Sequence, residues 1–541
     1  SSHFTEGRTQ KNSLADSRSL CSWLYLGSIN VKCLIPLNAY KNAYDTKDKP
    51  TVILAFTIKG YGIGSRQADN TTHQVKKLSI ENLKFFKDKF KLPVSDNELE
   101  ELPFLKFKES DKEFRYLIDR REALNGFLPK RQKKDSELKF ENDIYFNDFD
   151  KETKREMSTT MVFVKLLTSM MRDESIGKFI VPIVPDEART FGMDGLFRQF
   201  GIYSSEGQKY TPEDADKVMW YRESKNGVML EEGINEAGAF SAWIALATSY
   251  SNNLLPMIPF YIYYSMFGFQ RIHDLAWAAG DARAKGFLLG ATSGRTTLNG
   301  EGLQHQDGHS HVFAQTIPNC KSFDPCFDYE LATIIKEGIE DMYVKNIDNY
   351  YYITLMNENY QHPKRPKSAT SEAIISGGYK FAETKNPDIR LLGSGITLRL
   401  VLQAAEKLKE FNVKADVWSI TSFNQLARGG MNAERDKFID KFKNESYVEK
   451  CFSENLPTVA VSEYIRSHAD QIRRWVNGEY TCLGTDGFGR SDTRENLRSF
   501  FEISSDHIVY ASLITLNKRD VASKFAKENN VSLNKEHPWE R

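Results

Sequence analysis

Short apolar runs that alternate with helical patterns constrain the fold of this chain more than any other feature. FIVPIV (Phe179–Val184) and MIPFYIYY (Met257–Tyr264) are typical of buried strands, while the alanine-rich segment Gly233–Tyr250 is typical of a buried helix. Strands interleaved with helices predict parallel sheets that are covered on both faces. Further runs with the same strand pattern are FLLGATS, NYYYITLMNEN, IRLLGSG, KADVWSI and PTVAVSEY.

The alternation divides into two predicted α/β domains, residues 151–365 and 366–541. A polar stretch that contains lysine and proline separates them. Before them, a charged helical connector is predicted from about 65 to 150, and TVILAFTIKG (Thr51–Gly60) is predicted to be a buried strand.

Composition excludes several classes of protein. Lys+Arg and Asp+Glu are equal at 73 each, which gives no indication of binding to nucleic acid or to an anionic membrane. Ala237–Gln270 carries no charge, but serine, asparagine and two prolines interrupt it, so a buried helix, a turn and a strand are predicted rather than a membrane span. No secretory signal is recognisable at the amino terminus. Six scattered cysteines favour a reducing compartment, the cytoplasm.

Glu236 is the first candidate for chemistry. In a helix it would share one face with Phe240, Trp243 and Ala247, which places a carboxylate on an apolar surface. Burial would raise the pKa of that carboxyl and suit it to proton exchange with a ligand nitrogen. The alternative is an ordinary acid in a first helical turn, with Asn235 as N-cap.

The loop LNGEGLQHQDGHSH (Leu298–His311) is the second candidate. His305, His309 and His311 could bind zinc, or a histidine could act as acid and base, or the loop could be a solvated polar turn. The dense aromatic run Phe260–Phe269 leaves a similar choice between contact with a flat ligand and core packing. Spacing leaves these alternatives open.

Longer motifs carry a specific resemblance. They are DEARTFGMDGLFRQFGIYS, EEGINEAGAF, LPMIPFYIYYSMFGFQRI, GATSGRTTLNGEGLQHQDGHSH, IPNC, YYYITLMNENY and LGTDGFGRSDTRENLR. Together they resemble the homodimeric bacterial pyruvate dehydrogenase family, the thiamine-diphosphate-dependent first component of the pyruvate dehydrogenase complex. The resemblance runs from about Ile35 to the carboxyl terminus.

The resemblance implies a transketolase-like order of domains. Residues 1–34 match nothing in the family, 35–64 resemble a remnant of its diphosphate-binding domain, and 65–150 a mobile loop with a helical connector. Residues 151–365 resemble the aminopyrimidine-binding domain and 366–541 the transketolase-like C-terminal domain. The family's G-D-G motif with a later asparagine is absent, so ligands for Mg²⁺ are expected from a diphosphate domain that is missing or encoded elsewhere.

Roles for cofactor contact follow from the resemblance, residue by residue. Glu236 matches the glutamate that hydrogen-bonds the aminopyrimidine ring of thiamine diphosphate and shares a proton with it. Ile234 matches the apolar residue that holds the cofactor bent. Tyr264 and Phe267 match aromatic residues that contact the pyrimidine.

Roles near the substrate follow in the same way. Glu187 matches an active-site acid, and Glu301 with His305 matches a pair beside the bound pyruvate. This match favours acid–base chemistry or substrate orientation for His305 over the zinc hypothesis. His73 matches a histidine on a mobile loop that closes over the site and assists acetyl transfer.

The implied activity is oxidative decarboxylation of pyruvate followed by reductive acetylation of a lipoyl group. The implied partners are pyruvate, the lipoyl domain of dihydrolipoamide acetyltransferase and a second copy of the chain, with the site between the two subunits. Without the diphosphate domain the chain alone is expected to be inactive. Two alternatives remain: a non-catalytic relic that only dimerises or binds the complex, and a transketolase that acts on sugar phosphates.

Overall fold

The computed structural model divides the chain into two compact units, Ser1–Lys130 and Arg131–Arg541. The structure describes residues 24–25, 34–127, 138, 140, 144–186, 188–213, 221–439, 445–533 and 536–540.

The described residues of the first unit form two short parallel strands and three α-helices: β1 Leu24–Tyr25, α1 Leu34–Asp45, β2 Ala55–Phe56, α2 Ile80–Phe90 and α3 Lys112–Ala123.

The strand predicted for Thr51–Gly60 is wrong in extent, since only Ala55–Phe56 is a strand. Val52 and Leu54 are exposed rather than buried. An apolar run becomes a buried strand only where neighbouring strands and helices cover it, and among the described residues one two-residue strand pairs with it. Helices α2 and α3 fall within the segment predicted to be a helical connector.

The described residues of the second unit form two large sheets and a two-stranded sheet, β4-β5, and the first large sheet is entirely parallel. Its strand order is β6-β3-β7-β8-β10-β9. Strands β3, β7, β8 and β10 are buried along their whole length, as expected for a parallel sheet between helical layers. The elements of this part, in chain order, are α4 Ile144–Asn147, α5 Thr159–Met171, β3 Ile180–Val184, α6 Asp194–Phe200, β4 Ile202–Tyr203, β5 Glu223–Ser224, β6 Leu230–Glu231, α7 Glu236–Ala247, α8 Ser249–Asn252, β7 Ile258–Tyr263, α9 Gly268–Asp281, β8 Phe287–Ala291, α10 Ser310–Thr316, β9 Cys320–Phe323, α11 Asp328–Ile339 and β10 Tyr350–Leu355.

The second sheet has the order β11-β13-β12-β14-β15, in which only β11 is antiparallel to its neighbour. The predicted α/β fold with two parallel-sheet domains is therefore confirmed. The elements are α12 Ser371–Ser376, β11 Tyr379–Ala382, β12 Ile389–Gly393, α13 Thr397–Leu408, β13 Ala415–Ser419, α14 Phe423–Ile439, α15 Tyr447–Cys451, β14 Thr458–Val461, α16 Arg466–Asp470, β15 Tyr480–Leu483, α17 Arg494–Phe500, α18 Ser505–Thr515 and α19 Arg519–Glu528.

The uncharged run Ala237–Gln270 forms α7, the short α8, β7 and the start of α9, which matches the predicted helix, turn and strand. Among the described residues, no helix combines the length and the apolar character that a membrane crossing requires.

Candidate active site

Four adjacent strands of the parallel sheet lead into the residues predicted from sequence. In the order β6-β3-β7-β8, the segments after β6, β7 and β8 carry Ile234 and Glu236, then Tyr264 and Phe267, then Glu301 and His305. Glu187 follows β3 in the sequence but is not among the described residues. The carboxyl edge of a parallel sheet is where ligands bind in open α/β folds. The sheet thus brings separate sequence motifs to one edge.

Glu236 is the first residue of α7, and the Asn235 side chain caps the helix by accepting a hydrogen bond from the Gly238 N–H at 3.0 Å. The predicted apolar face is present, because Phe240 and Trp243 on the same helix are fully buried. The first-turn acid and the acid on an apolar face are therefore both correct descriptions of Glu236.

Arg271 is the partner of Glu236, and sequence reasoning missed it. Its guanidinium donates to the Glu236 carboxylate, whose side chain is only 13% exposed. It also lies 4.3 Å from the centre of the Phe267 ring. Phe267 and Arg271 are four residues apart at the start of α9, a spacing that could have indicated a shared helix face.

His305 packs between the two predicted aromatic residues. Its ring centre lies 5.2 Å from that of Tyr264 and 5.1 Å from that of Phe267. The Nδ1 atom is buried without a hydrogen-bond partner among the described residues, and the Glu301 carboxylate lies 3.9 Å away. Contacts therefore run continuously from Glu236 through Phe267 to His305.

The other two histidines of the loop occupy different environments. His309 lies 2.8 Å from the Gln270 amide, and burial lowers its pKa. His311 is buried beside His468 and lies 3.0 Å from the Thr354 hydroxyl, and burial holds the pKa of His311 well below its usual value. The three rings thus have three different sets of contacts.

Asp307 fixes the end of this loop. Its buried carboxylate accepts hydrogen bonds from the backbone N–H groups of His309 and Ser310, each at 3.0 Å. The hydroxyls of Ser265 and Ser310 also donate to it. Because Ser265 follows β7 and Asp307 follows β8, the carboxylate ties the two loops that carry Tyr264 and His305.

Three predicted residues have no described contact with this network. Ile234 is 80% exposed and lines a cavity of about 440 Å³ together with Asp186, Phe197 and Tyr210. Glu187 lies outside the described residues. His73 belongs to the first unit, where it is exposed in a short 3-10 helix.

The residues present fit part of thiamine diphosphate. Glu236 is linked through Arg271 to Phe267, which contacts Tyr264. A carboxylate can bond the edge of a flat nitrogen heterocycle, and aromatic rings can cover its face. Over the described ranges, no three His, Cys, Asp or Glu side chains cluster in a way that could hold a metal ion.

Comparison with known proteins identifies relatives of two parts of the chain. Residues 140–363 match the family model of the pyruvate dehydrogenase E1 component middle domain, and residues 377–504 match that of the transketolase-like C-terminal domain. The middle part of the chain belongs to the family of pyruvate dehydrogenase E1 component middle domains. The resemblance stated from the sequence motifs is thereby confirmed.

Two relatives named pyruvate dehydrogenase E1 component show the extent of the match. The chain is 53% identical to the Pseudomonas aeruginosa protein over 500 residues, which cover 91% of this chain and 57% of that one. It is 50% identical to the Escherichia coli K12 protein over 495 residues, which cover 90% and 56%. The chain thus spans somewhat more than half the length of these E1 components.

Among solved structures, Campylobacter jejuni transketolase has a TM-score of 0.62 at 16% identity, covering 91% of this chain and 67% of that one. A Pichia stipitis transketolase has a TM-score of 0.59, also at 16% identity, covering 90% and 66%. At such low identity these similarities concern the fold alone.

Proposed function

We propose that this chain supplies the aminopyrimidine-binding half of a thiamine diphosphate site in an enzyme that decarboxylates pyruvate oxidatively and acetylates lipoyl groups. The observation that carries the proposal is the delivery of Glu236, Tyr264, Phe267 and His305 to one sheet edge. Sequence identity of 50–53% with pyruvate dehydrogenase E1 components supports the same chemistry.

Glu236 would hold the proton-exchanging end of the cofactor. Its carboxylate stands at the start of α7 and is charge-paired with Arg271, so the arginine side chain has to yield when a ring nitrogen bonds the same oxygen. Arg271 is half exposed and can do so without unpacking the core. Tyr264 and Phe267 would cover the ring, and Ile234 would support the bend.

His305 would act on the substrate side. Its buried Nδ1 lacks a hydrogen-bond partner among the described residues and can bond a carboxylate or carbonyl oxygen. The Glu301 carboxylate, 3.9 Å from the same nitrogen, would flank the substrate. When bound, thiamine diphosphate supplies the carbon nucleophile that permits loss of carbon dioxide from a 2-oxo acid. Glu187 as an active-site acid and His73 as a loop residue in acetyl transfer remain predictions.

The proposal includes a homodimer, with the lipoyl domain of dihydrolipoamide acetyltransferase as acceptor and Mg²⁺ bound by a diphosphate domain. Helix α7 supports the homodimer, because after Glu236 it contains no charged residue and still exposes Ala237, Ser241 and Ala245 on one face. A cytoplasmic location is supported by four free thiols, at Cys320, Cys326, Cys451 and Cys482.

The test is pyruvate-dependent reduction of an artificial electron acceptor by the chain mixed with the diphosphate domain of an E1 relative. We expect turnover in the mixture and none with the chain alone. Glu236→Gln should lower kcat at least about 100-fold, since positioned proton transfer contributes that much. Glu232→Gln, at an exposed acid four residues earlier, is the matched control and should leave turnover unchanged.

The same assay separates the alternatives. Cofactor binding in the mixture without turnover would favour a non-catalytic relic. Consumption of sugar phosphates instead of pyruvate would favour a transketolase. Turnover by the chain alone would contradict the proposed half-site.

A further inference from the structure

Two loops from different sheets meet beside His305. The histidine loop, residues 298–309, follows β8, and the bracing loop, residues 484–494, follows β15 of the second sheet. The Gly300 N–H donates to the Asp492 carbonyl at 3.2 Å. The Arg494 guanidinium donates to the carbonyl of Thr297, just before the histidine loop, at 2.7 Å. The position of the histidine loop therefore depends on the C-terminal domain.

Gln306 joins these two loops with a single side chain. It is completely buried, and its Oε1 accepts a hydrogen bond from the Arg490 N–H at 2.7 Å. Its Nε2 donates to the Leu298 carbonyl at 3.1 Å. The Gln306 amide, next to His305, thus links Leu298 at the start of the histidine loop to Arg490 in the bracing loop.

Both halves of this amide are needed. Arg490 offers a donor and Leu298 an acceptor, so only a side chain that both accepts and donates satisfies the two in the buried space. Methionine of similar length does neither and would leave two buried backbone groups without partners.

We propose that Gln306 is a positioning residue, which holds His305 in place by fixing the histidine loop to the C-terminal domain. The inference deepens the proposed function, on which the role of His305 rests. It gives the segment LGTDGFGRSDTRENLR, which contributes none of the predicted site residues, a part in building the site.

Gly489 allows the bracing loop to come this close. A Cβ at Gly489 would lie 2.6 Å from the Leu303 carbonyl oxygen and 2.9 Å from the Gln306 Cβ. Since the carbonyl is backbone, Gly489→Ala forces the loops apart from the C-terminal side and leaves Gln306 intact.

Hydrogen–deuterium exchange of the 541-residue chain tests the brace without any need for turnover. In Gln306→Met and in Gly489→Ala, amides of the peptide 298–305 should exchange about tenfold faster, as expected for lost hydrogen bonds. Gln425→Met is the matched control, because the Gln425 Oε1 has no hydrogen-bond partner among the described residues. Unchanged exchange in both brace variants would overturn the inference.

Gln306→Glu adds a rescue that a merely structural role would not show. The glutamate can always accept from Arg490, but it donates to Leu298 only when protonated, and burial raises the pKa of such a carboxyl. Compared with the unmodified chain at the same pH, exchange in 298–305 should be near normal at pH 5 and faster at pH 8. Equal ratios at both pH values would contradict the donor role of Gln306.

The outcomes also separate this inference from the proposed function. Faster exchange in the brace variants with no pyruvate turnover in the completed enzyme would leave the brace standing and remove the proposed function. Unchanged exchange with full turnover would do the reverse.

Discussion

The two sides of the candidate site are held in place by different forces. The helix side is α7, which begins at Glu236. Its buried Phe240 and Trp243 rings stack with centres 5.0 Å apart. On the loop side, Glu301 and His305 stand on a glycine-containing segment fixed by the carboxylate of Asp307 and by hydrogen bonds from the C-terminal domain. One side depends on packing, and the other depends on polar partners that are distant in sequence.

The two sides of the site should therefore differ in their response to changes of pH and surface charge. Packing of large side chains resists changes of pH and surface charge, whereas a buried polar network depends on the protonation of each member. Substitutions on the helix side and on the loop side should show this difference.

Trp243→Ala should be the most destabilising of these changes. The side chain is fully buried, stacks on Phe240 and donates from Nε1 to the Phe287 carbonyl at 3.2 Å. Removing it should lower the free energy of unfolding by about 3–5 kcal/mol. Urea denaturation measures this loss, with Trp243→Phe as a control that keeps most of the ring. A loss below about 1 kcal/mol would mean that packing does not hold the helix side.

Asp307→Ala should cost about 2–4 kcal/mol, because it leaves two backbone N–H groups and two hydroxyls without their acceptor. The same denaturation measurement applies. Hydrogen exchange should locate the change in 305–312 rather than in α7. Equal loosening of α7 would show that the two sides are not independent.

Asp324 should make the loop side sensitive to pH. Its carboxylate accepts from the Thr354 hydroxyl at 2.7 Å, which lies 3.0 Å from His311, and burial raises the pKa of Asp324 to about 7. Because the folded-state pKa is above the unfolded one, its contribution to stability is complete below pH 4 and is lost as pH rises towards 7. Relative to the unmodified chain, Asp324→Asn should therefore gain stability between pH 5 and 7, by at most about 1.4 kcal/mol per pH unit. Parallel stability curves for the two proteins would contradict this.

Arg271→Met should have the smallest effect on stability. The arginine is half exposed, so its pair with Glu236 is screened by solvent and should contribute less than about 1 kcal/mol. Arg271→Lys, which keeps the charge, serves as the control in the same denaturation experiment. A loss above about 2 kcal/mol would show that the ion pair, and not packing alone, holds the helix side.

Much of the fold could be predicted because buried parallel strands have distinctive sequences. FIVPIV and MIPFYIYY became β3 and β7 with ends shifted by at most one residue. Strands β9 and β11 were not predicted, since CKSF and YKFA contain charged and polar residues and owe their conformation to neighbouring strands. The error at Thr51–Gly60 has the same origin, because neighbours decide whether an apolar run is buried.

Most of the candidate site was predicted through motifs, and only Glu236 was also predicted through helical spacing. Helical spacing placed Glu236 on its apolar face, and the resemblance selected Tyr264, Phe267, Glu301 and His305, which the sheet then brought to one edge. The partners Arg271 and Arg490 were not predicted, because contacts made by side chains and backbone across loops depend on geometry that no local pattern contains.

We propose that the chain holds half of a cofactor site. Calorimetric titration of magnesium–thiamine diphosphate into the chain measures whether that half binds the cofactor alone. We predict that magnesium–thiamine diphosphate does not bind measurably to the 541-residue chain alone. Binding should be restored when the diphosphate domain of an E1 relative is added. Glu236→Gln should weaken the restored binding, whereas Glu232→Gln should leave it unchanged. Tight binding of magnesium–thiamine diphosphate to the chain alone would contradict the claim.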